Sequence, residues 1–186
     1  LDQVVEVNAE ERWARVQPGV VVDDLNAALR PLGLQFGPDP ASADRSTLGG
    51  VVANNATGSH SLLYGMTADH VRAMEMVLAD GRVVTAGAGM SMFAIGHDKL
   101  RVVNGLKQLI EDPTNQKTIT EETPHYWRRC GGYNLDRLLP GAGQNLAQLI
   151  CGSEGTLAVM TEITVGLVPR PPHKVLGLVH FDDLAL

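Results

Sequence analysis

An α+β domain is the fold class that the sequence predicts, and three observations predict it. Residues 4–7 and 12–16 flank the polar run Asn8-Ala9-Glu10-Glu11, residues 72–78 and 82–85 surround Asp80-Gly81, and apolar stripes of helical period run through 22–32 and 102–110. Hairpins and amphipathic helices in one chain of 186 residues fit a sheet with helices packed on it. That length suits one domain, with a piece of another.

The first hairpin ends at Pro18-Gly19. From Val22, the apolar positions Leu25, Ala28, Leu29 and Leu32 fall at helical spacing, Asp23 and Asp24 suit the positive end of the helix dipole, and Pro31 with Gly33 closes the helix. Its leucine stripe is expected on the sheet. A glycine-rich stretch follows, with a short helix over 51–54. Asp80-Gly81 marks the clearest hairpin, because its tight turn needs positive φ. Val102, Val103, Leu106, Leu109 and Ile110 form one helical stripe, which Glu111-Asp112-Pro113 stops. Residues 114–143 are polar and rich in Gly, Thr and charge, with short helices over 115–122 and 134–138; they read as an insertion or a loop over a site. Leu146, Leu149 and Ile150 form a short helix leading into Gly152-Ser153-Glu154-Gly155, and a strand over 157–168 ends at Pro169, Pro171 and Pro172. The apolar run 175–181 beyond them reads as the first strand of a second domain, which divides the chain into 1–172 and 173–186.

Fifteen Lys and Arg against 21 Asp and Glu give a formal net charge of −6, so there is no general electrostatic drive towards nucleic acid or anionic lipid. No window approaches the roughly 18 consecutive apolar residues of a membrane span. Leu1-Asp2-Gln3 has neither the basic nor the apolar region of a signal peptide, and a soluble cytoplasmic protein is expected. Cys130 and Cys151 are the only cysteines, so a disulfide scaffold is excluded and an iron–sulfur cluster cannot be built from this chain alone. A leucine at position 1, directly before a strand, suggests a segment cut from a longer protein.

The most informative stretch is Gly37-Pro38-Asp39-Pro40-Ala41-Ser42, then Leu48-Gly49-Gly50-Val51-Val52-Ala53-Asn54-Asn55-Ala56-Thr57-Gly58-Ser59-His60-Ser61, then Tyr64-Gly65. It reads as a wall for a flat, phosphorylated ligand. Glycines 49, 50 and 58 let backbone approach a ligand, while Ser42, Thr47, Asn54, Asn55, Ser59 and Ser61 supply hydroxyls and amides without charge. Gly49-Gly50, opening a short helix, would point free N–H groups at an anion. His60 lies inside this wall. Glu154-Gly155 offers a second close approach of backbone.

The wall resembles the FAD-binding domain of the vanillyl-alcohol oxidase and p-cresol methylhydroxylase superfamily, in its glycolate oxidase, D-lactate dehydrogenase and D-2-hydroxyglutarate dehydrogenase branch. Three further passages match in order: Asp69-His70-Val71 through Val77-Leu78-Ala79-Asp80-Gly81, Arg128-Arg129-Cys130-Gly131-Gly132-Tyr133-Asn134-Leu135, and Ile150-Cys151-Gly152-Ser153-Glu154-Gly155-Thr156-Leu157. The last is similar to a "GSEGTLG" signature, with Ala158 where many relatives carry glycine. The third passage and the Asn54-Asn55 variant most resemble members fused to an iron–sulfur module. The resemblance implies a partial PCMH-type domain with a mixed or antiparallel sheet flanked by helices. It implies FAD as cofactor, bound by Pro38, Asp39, Pro40, Ser42, Thr47, Gly49, Gly50, Asn54, Asn55, Gly58, Ser59, His60, Ser61, Gly65, Glu154, Gly155 and Ile163.

By the same resemblance, the chain is part of an FAD-linked dehydrogenase or oxidase acting on a 2-hydroxy acid such as D-lactate, glycolate or D-2-hydroxyglutarate. Electrons would pass to an iron–sulfur module, a quinone or another acceptor, and the full-length protein could sit peripherally at the inner membrane. In relatives, a pyrophosphate loop lies upstream of the stretch matched here and the base lies in a downstream substrate domain, so weak flavin binding and no turnover are expected of this chain alone. Two other readings share these motifs: a non-redox flavoenzyme of the alkyl-dihydroxyacetonephosphate synthase type, and a non-catalytic interaction module. His97, His125 and Cys130 match no common zinc spacing, and Gly141-Ala142-Gly143 is not a dinucleotide fingerprint. Arg128 and Arg129 read as a solvated face.

Overall fold

A computed structural model describes residues 1–87, 101–173 and 175–180. Its strands are β1 (Val4–Asn8), β2 (Trp13–Val16), β3 (Leu34–Phe36), β4 (Val71–Val77), β5 (Val83–Gly87) and β6 (Val159–Pro169). They form one antiparallel sheet in the order β1-β2-β6-β4-β5, with β3 pairing the far end of β6. The last strand in sequence is therefore the central one: Ile163 faces Val16 on β2 and Met74 on β4.

Both expected hairpins form. β2 alternates half-buried and buried residues, which turns Ala14 and Val16 into the core and leaves Trp13 and Arg15 outside. Gly81 takes φ 82 between β4 and β5, and the Arg82 guanidinium beside Asp80 holds that carboxyl below its usual range.

Helix α1 (Val22–Leu29) buries Val22, Leu25 and Leu29, one face at i, i+3 and i+7. Ala28 lies off that face within α1 and is exposed, and Leu32 is exposed because the chain tightens into a 3₁₀ turn at Arg30–Leu32 before Gly33 reverses it at φ 67. The short helix expected over 51–54 starts earlier, as α2 (Leu48–Ala53), with Thr47 as its cap. Helices α3 (Ser61–Tyr64) and α4 (Thr67–His70) follow, and α4 leads directly into β4.

Helices α5 (Arg101–Glu111) and α6 (Pro113–Glu122) meet at Asp112, whose carboxylate accepts from the backbone N–H groups of Thr114 and Asn115 at 2.8 and 3.1 Å. Pro113 thus ends one helix and opens the next. Ile110 and Ile119 join Leu138 and Leu149 in a small satellite core, while Leu109 is 39% exposed. A 3₁₀ turn at Leu135–Leu138 and α7 (Leu146–Ile150) complete this side. Residues 175–180 are not a strand; Val175, Leu176, Leu178 and Val179 are exposed and form no ladder. Phe181 and His97 lie outside the described residues.

Candidate functional site

The polar wall divides into an outward face and an inward support. Thr47, Gly50 and Asn54 are exposed, while Leu48, Gly49, Val51 and Val52 are buried. Helical spacing explains the division, since positions 47, 50 and 54 lie on one side of α2. The N–H groups at the start of α2 are not free, contrary to expectation. Leu48 N–H donates to Val20 O at 2.7 Å, Gly49 N–H to Pro18 O at 2.8 Å, and Gly50 N–H to Thr47 Oγ1 at 3.4 Å. Gly49 is required for this approach, because a Cβ there would meet the Pro18 side chain at 2.7 Å. That glycine serves packing against the Pro18-Gly19 turn.

Two wall residues turn inward. Asn55, 2% exposed at φ 44, accepts from Ala68 N–H at 2.9 Å and donates to Arg129 O at 3.3 Å. Ser61 is 1% exposed and accepts from Gly58 N–H at 3.0 Å. Both amide and hydroxyl are consumed in shaping the loop. Ile163 is wholly buried in the centre of the sheet, where side chains of β2 and β4 leave no surface for a ligand. Pro38 is buried behind the wall as well.

A cleft of about 510 Å³ is lined by Asp39, Pro40, Ala41, Thr57, Gly58 and Ser59 together with Asp23, Asp44, Arg45 and Arg128. The 38–40 and 57–60 segments touch through their backbones: Ser59 N–H donates to Asp39 O at 3.2 Å, and Gly58 lies directly against the Asp39 carbonyl and Pro40. His60 Nδ1 is 3.3 Å from Asp39 Oδ2 and its ring meets Tyr64 edge-on. The Ser42 hydroxyl pairs with that of Ser46. Gly65 takes φ 85 where Asp69 crowds it, and Asp69 accepts from Met66 N–H at 2.7 Å.

Sequence reasoning missed the contribution of the polar segment at 128–134. Arg128 is exposed, as expected, and its Nε also donates to Thr57 Oγ1 at 2.8 Å, which makes the arginine part of the cleft lining. Arg129 pairs with Asp136 and donates to Asn134 Oδ1 at 3.0 Å. Asn134 is 3% exposed and donates to Cys151 O at 2.8 Å, while Tyr133 hydroxyl meets Thr156 Oγ1 at 2.9 Å. These bonds lock the segment onto both the wall and the Gly152-Ser153-Glu154-Gly155 loop. That loop is itself pinned to the end of α2, since Gly152 N–H donates to Val52 O and Glu154 N–H to Ala53 O. Glu154 and Gly155, at φ 50 and 77, thereby extend the exposed face of α2. Beneath, burial pushes the Cys151 thiol up to about 12.

Charge in the cleft is nearly balanced. Asp44 pairs with Arg45 at 2.8 Å, which leaves Asp23 and Asp39 facing Arg128. A ligand here meets hydroxyls, close backbone and the Arg128 guanidinium beside the Asp23 and Asp39 carboxylates, and no ligand cluster for a metal lies among the described residues. No helix among those residues is long and apolar enough to cross a membrane.

Residues 1–87 match the family model described as FAD binding domain. The chain is 33% identical over 187 residues to a D-2-hydroxyglutarate dehydrogenase of Pantoea ananatis (strain AJ13355), which covers 98% of this chain and 18% of that protein. It is 29% identical over 184 residues to the glycolate oxidase subunit GlcD of Bacillus subtilis (strain 168), covering 99% of this chain and 29% of that one. The chain spans about a fifth of the length of the D-2-hydroxyglutarate dehydrogenases it matches. Among solved structures, an alkyldihydroxyacetonephosphate synthase aligns at TM-score 0.56 and 24% identity, over 92% of this chain and 24% of that one. That likeness shows the fold, and the expected antiparallel sheet with flanking helices is borne out.

Proposed function

We propose that the FAD-binding domain carried by residues 1–87 is, together with the residues that follow it, the flavin-holding part of an oxidoreductase acting on a 2-hydroxy acid. One observation carries this reading: the Glu154-Gly155 loop, exposed itself, is pinned through the Glu154 N–H to Ala53 O at the end of α2, beside the exposed Thr47, Gly50 and Asn54. The similarity to D-2-hydroxyglutarate dehydrogenases and to a glycolate oxidase subunit supports the substrate class. The synthase reading has only the shared fold behind it.

Thr47, Gly50 and Asn54 on α2, Thr57 and Ser59 beside the cleft, and Gly155 would hold FAD. When bound, the cofactor supplies an acceptor for the hydride that leaves the substrate carbon. The chain's own residues bind and orient. Thr57 and Ser59 present hydroxyls, Arg128 brings one positive charge to the cleft mouth, and the bonds from Asn55 and Asn134 keep these groups in place. The electron acceptor stays open between an iron–sulfur module, a quinone and other carriers.

The test is the visible spectrum of the purified chain before and after FAD is added and the sample desalted. A retained flavin band supports the reading. In the full-length protein, bleaching of that band by D-2-hydroxyglutarate, glycolate or D-lactate identifies the substrate; a full-length protein that takes up no flavin refutes the proposal.

A further inference from the structure

His70, the last residue of α4, is only 8% exposed and sits where the polar wall meets the sheet. Its ring packs edge-on against Phe36 of β3, with centroids 5.6 Å apart. Gly37, where the wall begins, closes on the same ring, because a Cβ there would lie 2.4 Å from His70 Cε1. His70 Nε2 is 2.9 Å from Tyr64 O, at the far end of the wall, and Nδ1 is 3.3 Å from Gly166 O on β6. One imidazole thus touches both ends of the wall and the central strand.

Both ring nitrogens face carbonyl oxygens, and a carbonyl only accepts. A neutral imidazole has one N–H, so either tautomer sets a bare nitrogen lone pair against a carbonyl oxygen. A flipped ring would set C–H groups against both oxygens and satisfy neither. The imidazolium alone, with two N–H groups, donates to both. Tyr64 is the last residue of α3, so its carbonyl has no donor within the helix and takes one from the ring.

The charged and titratable groups around the ring are engaged elsewhere. Asp69, next along α4, pairs with Arg137 and accepts from Met66 N–H at 2.7 Å. On α3, the Tyr64 ring meets His60 edge-on, and His60 in turn lies 3.3 Å from Asp39. Arg72 on β4 donates to Arg12 O at 3.1 Å beside Gly166. Phe36 and Gly166, the contacts from β3 and β6, carry no charge. Arg72 works against a positive charge here, whereas the two carbonyl oxygens in direct contact with the ring favour it.

We infer that His70 is a proton-dependent clasp: as the imidazolium it ties Tyr64 and Gly166 together and fastens the wall to β6, and on giving its proton to solvent it releases one of the two. It is a positioning residue, acting on the wall through backbone oxygens, and it does so whether or not the wall holds FAD. The folded chain then holds this proton more tightly than the unfolded chain does. The clasp therefore contributes fully below about pH 6.5, where an imidazole in water is itself protonated, and its contribution is lost as the pH rises and the folded ring deprotonates.

The ring nitrogens of the isotope-labelled native chain are observed by proton–nitrogen NMR at pH 7.5, where an imidazole in water is roughly 90% neutral. The His70 signals are identified by their contact with the Phe36 ring. Two protonated nitrogens are expected; one protonated and one bare nitrogen overturns the clasp. This measurement needs no variant to fold. Thermal unfolding of the native chain and of His70→Gln is then compared at pH 5.5 and pH 9, since glutamine offers a donor to one carbonyl and does not titrate. The native chain should melt higher at pH 5.5 and lose at least about half of that margin by pH 9. An equal margin at both pH values makes His70 a packing residue only and overturns the proposal.

Discussion

Replacing Gly58 by alanine tests whether the wall depends on the contact between its two backbone segments. A Cβ at position 58 would lie 2.5 Å from Pro40 N and inside the contact distance of the Asp39 carbonyl, whereas real Cβ atoms are essentially never found under 3.0 Å from a neighbour. Gly58 is not among the glycines with positive φ, so the cost is steric. The colliding groups are main chain and cannot rotate away. The segments must part, which costs about 1–3 kcal/mol for overpacking and about 1 kcal/mol for the Ser59 to Asp39 hydrogen bond. With each kcal/mol worth roughly 2–4 °C in a chain of this size, Tm should fall by roughly 4–16 °C. Thermal unfolding followed by circular dichroism reads this directly, and FAD retention by the full-length protein through desalting should fall with the same substitution. If Gly58→Ala melts within about 1 °C of the native chain and keeps its flavin, the close approach of the two segments is not what shapes the cleft.

Other perturbations address the remaining parts. Gly105→Ala, on an exposed position of α5 where a Cβ meets nothing within 4 Å, should stabilise the chain by about 0.5–1 kcal/mol, seen as a higher Tm. Asn55→Ala orphans the Ala68 N–H and the Arg129 carbonyl and places alanine at φ 44, so a loss of about 2–4 kcal/mol is expected in urea unfolding. Ellman's reagent at pH 8 should titrate Cys130 alone in the native chain and both thiols after denaturation, because Cys130 is exposed and Cys151 is buried. The Cys151 thiol, raised from 9.0 to about 12 on folding, contributes stability that is complete below pH 9 and lost between pH 9 and about 12, as the unfolded chain alone releases the proton; Cys151→Ser should remove that part of the alkaline slope.

The elements of the fold were legible because their signals are local. Asp80-Gly81 fixes its hairpin within a few residues, and the buried stripe Val22, Leu25 and Leu29 follows from helical period alone. Leu32 and Leu109 were misplaced because a period says which residues share a face, and not where the partner surface ends. The 175–181 run has the composition of a strand, yet its described residues have no neighbour to complete a ladder.

The candidate site was legible as a list and not as a surface. Small polar residues around 37–65 and the Gly152-Ser153-Glu154-Gly155 loop announce a close approach to a ligand, since glycine and hydroxyl chemistry is written in residue type. Which of them face outward depends on long-range bonds. Asn55 is drawn inward by residues 68 and 129, the free N–H groups expected at α2 are taken by Pro18 and Val20, and Arg128 reaches Thr57 across 71 positions. The sequence by itself determined the α+β class, the hairpins and the chemical character of the wall, because periodicity and turn geometry act over a few residues. The tertiary structure alone decided the central place of β6, the burial of Ile163 and the approach of Arg128 to Thr57, because each follows from contact between segments far apart in the chain, whose partners no local pattern names.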